Sequence, residues 1–240
     1  MQSELRTLTG ADLRNTSAQA LDQLGAVGFT SDGRQFSYVQ VGSTDVTAGQ
    51  LLVTPPVVAN HQGIKTASGS QLAVGTTQLT LKLGATAATK DQYAEGYLVV
   101  VTGTGKGTAY RIKGNSVGLS SGSCIIDLYQ TEPLVNAVDT ATTFNLTASP
   151  YVAVVASTTA AHAVGVASTN IPANNYGWVQ NYGFCAVLID SSAPTKGASI
   201  IQSTATAGAV AIFSGTSAIL GNTLENTVSA QTNGVWLQIT

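Results

Sequence analysis

The first candidate for a chemical role is a glycine-rich segment. Residues 103–108 place Lys106 among glycines, as a phosphate-binding loop does. A Walker A loop, however, needs a serine or threonine directly after its lysine to hold magnesium, and a helix behind the loop to receive phosphate. Gly107 follows the lysine here, and a strand-like run follows the loop. The sequence therefore predicts a glycine-rich hairpin turn, not a nucleotide site.

Ser120 stands in a bare Gly-x-Ser-x-Gly pattern, which resembles the nucleophile elbow of serine hydrolases. The elbow works because a turn from strand to helix exposes the serine. Nothing helical follows Ser120, since the next run, which contains Cys124, is again strand-like. A base would have to be His61 or His162. We therefore expect no serine hydrolase, and a hydrolytic β protein that uses one of these histidines is kept only as a third alternative.

Metal ligands and paired acids are also sparse. A zinc site needs at least three protein ligands, which His61 and His162 cannot supply alone. A metal site that combines one of them with Asp127 or Asp139 is an alternative, but the spacing does not favour it. The carboxylates are scattered singly, so no acid pair for glycoside hydrolysis is visible, although folding can bring distant carboxylates together. We expect a protein that is not an enzyme, with no catalytic, cofactor-binding or metal-binding residues.

Both cysteines, Cys124 and Cys185, lie in apolar, strand-like runs. Cysteines in such runs usually behave as small buried hydrophobic residues, which predicts two free thiols. A disulfide between them is the alternative, but two cysteines do not make a disulfide framework.

The composition favours a component of an assembly. Only 9% of the 240 residues are charged, where about 25% is usual in soluble domains. Interface cores are depleted in Lys, Glu and Asp, because burying ions costs free energy. A hydrophobic content of 44% argues against disorder, and a formal net charge of -2 argues against nucleic acid as a partner.

No membrane partner is expected either. The first residues, Met-Gln-Ser-Glu-Leu-Arg, lack the apolar segment of a signal peptide. No run of the chain approaches the roughly 18 apolar residues that cross a bilayer. The sequence therefore predicts neither a signal peptide nor a membrane span.

Short alternating runs separated by turn residues predict an all-β fold, a sandwich or barrel, from residue 35 to residue 240. Residues 1–34 differ, because they are rich in charge, and we expect an N-terminal arm that is either mobile or laid across a neighbouring subunit. Within this arm, residues 17–25 could form one or two helical turns that end at Gly25. A weak subdivision of the β region near Pro150 is also expected, and it is followed by a predicted strand over residues 151–155.

Large aromatic side chains are concentrated between residues 176 and 190, where Gly183 separates an amphipathic run from an apolar one. Because side chains alternate along a strand, Tyr176 and Trp178 should share one face, and Cys185, Val187 and Ile189 should share another. Tyr176, Trp178, Tyr182, Phe184 and Trp236 could stack on sugars. The usual role of large aromatics favours the core and subunit interfaces instead.

Three segments carry a resemblance to a known family. Residues 163–167 read Ala-Val-Gly-Val-Ala, residues 174–180 read Asn-Asn-Tyr-Gly-Trp-Val-Gln, and residues 185–190 read Cys-Ala-Val-Leu-Ile-Asp. Together they resemble the head decoration, or cement, proteins of tailed bacteriophages. Residues 33–38, 96–100 and 110–112 are similar to earlier parts of such proteins, so that the likeness covers most of the chain loosely.

The resemblance implies a structural virion protein that binds the exterior of an assembled capsid and stabilises the head by bridging capsomers. Its partners would be the major capsid protein and further copies of itself, often in a homotrimer. The resemblance implies no catalytic residue. The alternative is a phage tail, fibre or receptor-binding module that recognises host glycan.

Overall fold

A computed structural model describes residues 6–67, 71–215 and 217–239. The all-β prediction is confirmed, since the helical residues of these ranges are confined to two 3-10 turns, Asp12–Arg14 and Ala59–His61. No helix in the described part of the chain is long and apolar enough to cross a membrane.

Sixteen strands are formed by the described residues, and most of them are short. In chain order they are β1 Arg6–Thr7, β2 Val27–Phe29, β3 Gln35–Gln40, β4 Leu51–Val53, β5 Lys65–Thr66, β6 Gln78–Lys82, β7 Tyr97–Thr102, β8 Ala109–Asn115, β9 Ser123–Leu128, β10 Thr143–Thr147, β11 Ala163–Ala167, β12 Tyr176–Leu188, β13 Ser199–Gln202, β14 Val210–Ile212, β15 Gly221–Thr223 and β16 Thr232–Gln238.

The chain divides into two compact units. Unit 1 comprises Met1–Pro55 and Pro150–Thr240, and unit 2 comprises Pro56–Ser149. Unit 2 is therefore an insertion in the chain of unit 1. Within unit 1 the residues that flank the insertion are joined, because Val53 and Val155 exchange backbone hydrogen bonds of 2.9 and 3.1 Å.

Unit 1 is built on a ten-stranded sheet with the order β1-β2-β3-β12-β16-β15-β13-β14, to which β11 and β4 are attached beside β12. The long strand β12 is central, because it pairs with β3, β11 and β16. Apolar residues of these strands form separate buried clusters on the sheet. As the alternation predicted, Trp178 packs in one cluster and Val179 in another, while Cys185, Val187 and Ile189 share a third.

Unit 2 is a six-stranded sheet with the order β10-β7-β8-β9-β6-β5. The sheet curves until its two ends meet, where Ile64 and Phe144 exchange backbone hydrogen bonds of 2.9 and 2.8 Å. Leucine and isoleucine side chains from alternate positions of its strands fill the interior, including Leu79, Leu81 and Ile126.

Three local expectations are wrong. Residues 17–25 form bends and turns instead of helix. Residues 151–155 form only isolated bridges at Val154 and Val155 instead of a strand. Gly183 does not separate two strands, because β12 runs through it without interruption.

The segment before β3 is tied into unit 1 along its described length. β1 pairs with β2, and β2 pairs with β3. Leu8 is buried and packs against Gly28, where a Cβ atom would lie only 2.5 Å from a Leu8 methyl carbon. Gly28 therefore leaves the space that Leu8 occupies. Whether residues 1–34 also reach a neighbouring copy stays a prediction.

The Leu8 contact leads to a stability prediction. Replacing Gly28 with Ala forces Leu8 out of its site, and we expect the free energy of unfolding to fall by about 1–3 kcal/mol, the usual cost of overpacking. Gly10→Ala is the matched control, since its nearest neighbour to an added Cβ lies at 3.9 Å. Urea unfolding followed by tryptophan fluorescence measures both variants. Equal urea midpoints for the two variants would contradict the close contact between Leu8 and Gly28.

Candidate interaction surface

The second half of β12 presents large side chains to solvent. Tyr182, Phe184 and Ala186 point outward, while Gly183, Cys185 and Val187 are buried. This alternation follows from the two-residue period of a strand. The inner positions pack in the core of unit 1. The outward side chains of the same strand form a second, solvent-exposed layer.

The neighbouring strands extend this layer. Phe184 lies directly opposite Trp236 of β16, and the rings of Tyr182 and Trp236 meet edge to face with centroids 5.8 Å apart. Leu224, just after β15, donates its backbone N–H to the carbonyl of Gly234 in β16. We call Tyr182, Phe184, Leu224 and Trp236 the aromatic face. Their exposed fractions are 40%, 53%, 41% and 38%, respectively.

The aromatic face is unusual for a one-sided antiparallel sheet, whose outward positions are normally polar. It also lies in a stretch with little charge, because Asp190, Lys196 and Glu225 are the only charged residues after Pro150. Asp190 is buried, and the Glu225 carboxylate accepts a 2.6 Å hydrogen bond from the Gly234 N–H. Exposed apolar residues in a region with few charges are typical of a surface that another molecule covers.

A β-bulge at Asn181 sets the direction of the outward side chains. The register of β12 against β3 shifts between Gln180 and Tyr182. The buried Gln180 carboxamide donates hydrogen bonds of 3.0 and 2.7 Å to the carbonyls of Tyr182 and Phe184. Because these carbonyls lie beside the irregularity, the side chain supplies the donor that a regular ladder would have provided to them.

A groove of about 340 Å³ borders the aromatic face. Its apolar lining includes Phe184, Ala48 and Ala167, and Ser168 and Thr232 supply hydroxyl groups. Arg34 is the one charged residue in this lining. The groove thus combines apolar walls, hydroxyl groups and a single cation.

The guanidinium group of Arg34 is held by its neighbours. Its Nε donates to Asp32 Oδ2 at 2.8 Å, and Thr30 donates to the other carboxylate oxygen of Asp32. The hydrogen bond from Thr30, and then the bond and charge of Arg34, lower the pKa of Asp32. The stem of Arg34 lies close to Gly183, which has a φ of 92°. A side chain at Gly183 would be strained, so glycine suits this point of the strand.

The first half of β12 is buried instead. Trp178 is 2% exposed and packs against Tyr38, with ring centroids 5.1 Å apart, and the Tyr176 ring also stacks on Tyr38, at 6.1 Å. The guanidinium of Arg6 lies 5.8 Å from the Trp178 ring centroid. The five aromatics singled out from the sequence therefore divide into a core pair and a surface group.

The remaining candidate residues do not belong to this surface. His61 is buried in unit 2, where its ring bonds the Tyr93 hydroxyl and, at 2.9 Å, the Thr86 carbonyl. His162 is exposed in unit 1. Ser120 donates to the carbonyl of Ala85, and Lys106 lies in an exposed turn between β7 and β8.

The polar residues of the described ranges form no cluster of three or more His, Cys, Asp or Glu side chains that could hold a metal ion. Asp127 accepts from Gln78, and Asp139 accepts from Thr104 and Thr142. These carboxylates therefore have structural partners.

Removing the Gln180 carboxamide should destabilise the bulge. In Gln180→Met, two backbone carbonyls lose their donor, and a buried group left without its partner costs about 1–3 kcal/mol. Gln238→Met, an exposed position on β16, is the control. Urea titration of both variants measures the difference. A Gln180 variant as stable as the control would show that the bulge does not need this side chain.

The cysteines should be unreactive in the folded chain. Both are free and buried, which confirms the expectation from the sequence. Burial raises the pKa of Cys185 to about 12 and also raises the pKa of Cys124. Because the thiolate is the reactive form, we expect no labelling by a disulfide reagent at mildly alkaline pH until denaturant is added. Rapid labelling of either thiol in the native chain would contradict this.

Comparison with known proteins identifies no relative of this chain. No family model, no curated protein and no solved structure matches the chain. A function must therefore be inferred from the residues and their arrangement.

Proposed function

We propose that this chain is a structural virion protein that binds the outer surface of a tailed-phage capsid and stabilises the head by bridging neighbouring capsomers. The sequence resemblance suggests the family. Its partners would be the major capsid protein and other copies of the same chain, arranged as a homotrimer. No nucleic acid, membrane or cofactor takes part in this function.

The observation that carries the proposal is the aromatic face in a nearly uncharged part of unit 1. Tyrosine, tryptophan and phenylalanine are enriched in protein interfaces, and charged residues are depleted in interface cores. Trp236 and Tyr182 are held in contact by their own strands, so little side-chain freedom is lost when a partner covers them. Such a face suits a rigid protein lattice.

Stabilisation of the head follows from thermodynamic linkage. A ligand that binds only the assembled lattice lowers the free energy of that state by an amount set by its affinity and its concentration. Each copy needs to contribute only modestly, because a capsid offers many equivalent sites. No chemical step is required, in keeping with a chain for which we propose no catalytic residue.

The alternative function is glycan recognition by a phage tail, fibre or receptor-binding module. The observation that favours it is the exposure of Tyr182 and Trp236, whose rings could stack on sugars. A glycan array with Trp236→Ala as its control separates the two functions. Binding that depends on Trp236, without binding to capsids, would favour the alternative.

The capsid proposal predicts that the purified chain binds expanded capsids of the phage that encodes it and raises the temperature at which they rupture. In Phe184→Ser/Trp236→Ser, loss of two exposed rings should weaken binding at least about tenfold, as expected for interface hot spots. Co-sedimentation measures binding, and a dye that reports released DNA measures rupture.

Tyr97→Ser is the matched control, because Tyr97 is an aromatic residue of unit 2 with a similar exposed fraction of 43%. It should bind like the unmodified chain. Capsids whose rupture temperature is unchanged by saturating protein would refute the proposed function. If Phe184→Ser/Trp236→Ser binds capsids as tightly as Tyr97→Ser does, the chain still binds capsids, but not through the aromatic face.

A further inference from the structure

Arg34 differs from the other arginines that take part in ion pairs. Arg6 directs its Nη1 and Nη2 groups at Asp22 and Asp12, and Arg111 directs Nη2 at Glu95. Arg34 uses only Nε, for Asp32. Among the residues that the structure describes, no acceptor bonds either Nη group of Arg34. Its outer N–H groups are therefore open to a ligand.

The groove around Arg34 would select for negative charge next to an apolar group. Among the described residues, no carboxylate lines it, and its apolar lining continues into the aromatic face through Phe184. Asp32 pairs with Nε of Arg34 from outside this lining, so the two Nη groups are left to attract a further anionic group. Arginine also matches a carboxylate geometrically, because its planar fork can donate two parallel hydrogen bonds.

The volume of the groove allows more than a simple ion. About 340 Å³ falls within the range of roughly 300–1,000 Å³ that is common for binding pockets. A bare inorganic anion would leave most of the apolar lining uncovered. An acidic side chain together with a neighbouring apolar side chain would use both the guanidinium and the lining.

We propose that this groove receives a protein segment in which an aspartate or glutamate adjoins a large apolar residue. The carboxylate bonds the Nη groups of Arg34, and the apolar residue packs against Phe184. This inference rests on the proposed function, since it names the chemistry of the partner at the edge of the same surface. The pair with Asp32 does not prevent it, because that pair occupies only Nε.

Capsid binding by the full chain tests the inference. In Arg34→Gln, we expect binding to weaken about tenfold or more, since a charge-assisted hydrogen bond is lost. Binding should also become less sensitive to salt. Arg34→Lys should recover the salt dependence but only part of the affinity, because lysine lacks the fork. Arg14→Gln, at an exposed arginine elsewhere in unit 1, should change neither.

A groove-filling variant tests the steric part. Ser168 is exposed and lines the groove. Ser168→Trp should reduce capsid binding about tenfold or more while the unfolding midpoint stays unchanged, and Ser43→Trp, at an exposed serine of unit 1 outside the groove lining, should bind normally. If Arg34→Gln and Ser168→Trp both bind as the unmodified chain does, the inference is wrong, even though the proposed function stands.

If the unmodified chain does not bind capsids at all, the proposed function fails and the groove is tested by itself. The probes are the peptides acetyl-Leu-Asp-Leu-amide and acetyl-Leu-Asn-Leu-amide, added to the full chain and followed by NMR. Shifts at Phe184 and Ala186 with the aspartate peptide alone support the inference. No shifts, or shifts with N-acetylneuraminic acid but with neither peptide, overturn it.

Discussion

The hydrogen bonds from the Gln180 carboxamide to the carbonyls of Tyr182 and Phe184 are the constraint on which the surface of unit 1 depends. They allow β12 to pass through a bulge without ending, so that one strand pairs with β3 in its first half and with β16 in its second. The first half supplies Trp178 to the core, and the second half carries Phe184 outward. A single strand thereby joins the packing of the fold to the surface that we propose as its binding site.

Charge distribution separates the two units in a way that bears on function. All lysines except Lys196 lie in unit 2, and the part of unit 1 after Pro150 is almost uncharged. Low charge reduces the desolvation cost of covering a surface. Among the described residues, Arg34 is the only charged residue in the groove lining. We propose that unit 1 provides the assembly contact and that the Nη groups of Arg34 add selectivity to a mainly apolar surface.

The sequence predicted those features that depend on local pattern. The all-β fold and most strands follow from alternation, and the prediction that Cys185, Val187 and Ile189 share one face is confirmed. The boundary predicted at Gly183 is wrong, because glycine is common in turns, whereas Gly183 pairs with Leu237 inside a continuous strand. The exposure of Phe184 and Trp236 and the approach of Arg34 also depend on pairing between distant segments. No local pattern contains that information.

The central claim is that a partner covers the aromatic face in the assembled particle. Oxidative footprinting of the free chain and of the intact virion, read by mass spectrometry at Phe184 and Trp236, measures this most directly. The account predicts strong oxidation of both residues in the free chain and protection in the particle, with Tyr97 equally oxidised in both states. Equal oxidation of the aromatic face in the two states, or absence of the chain from the particle, would contradict it.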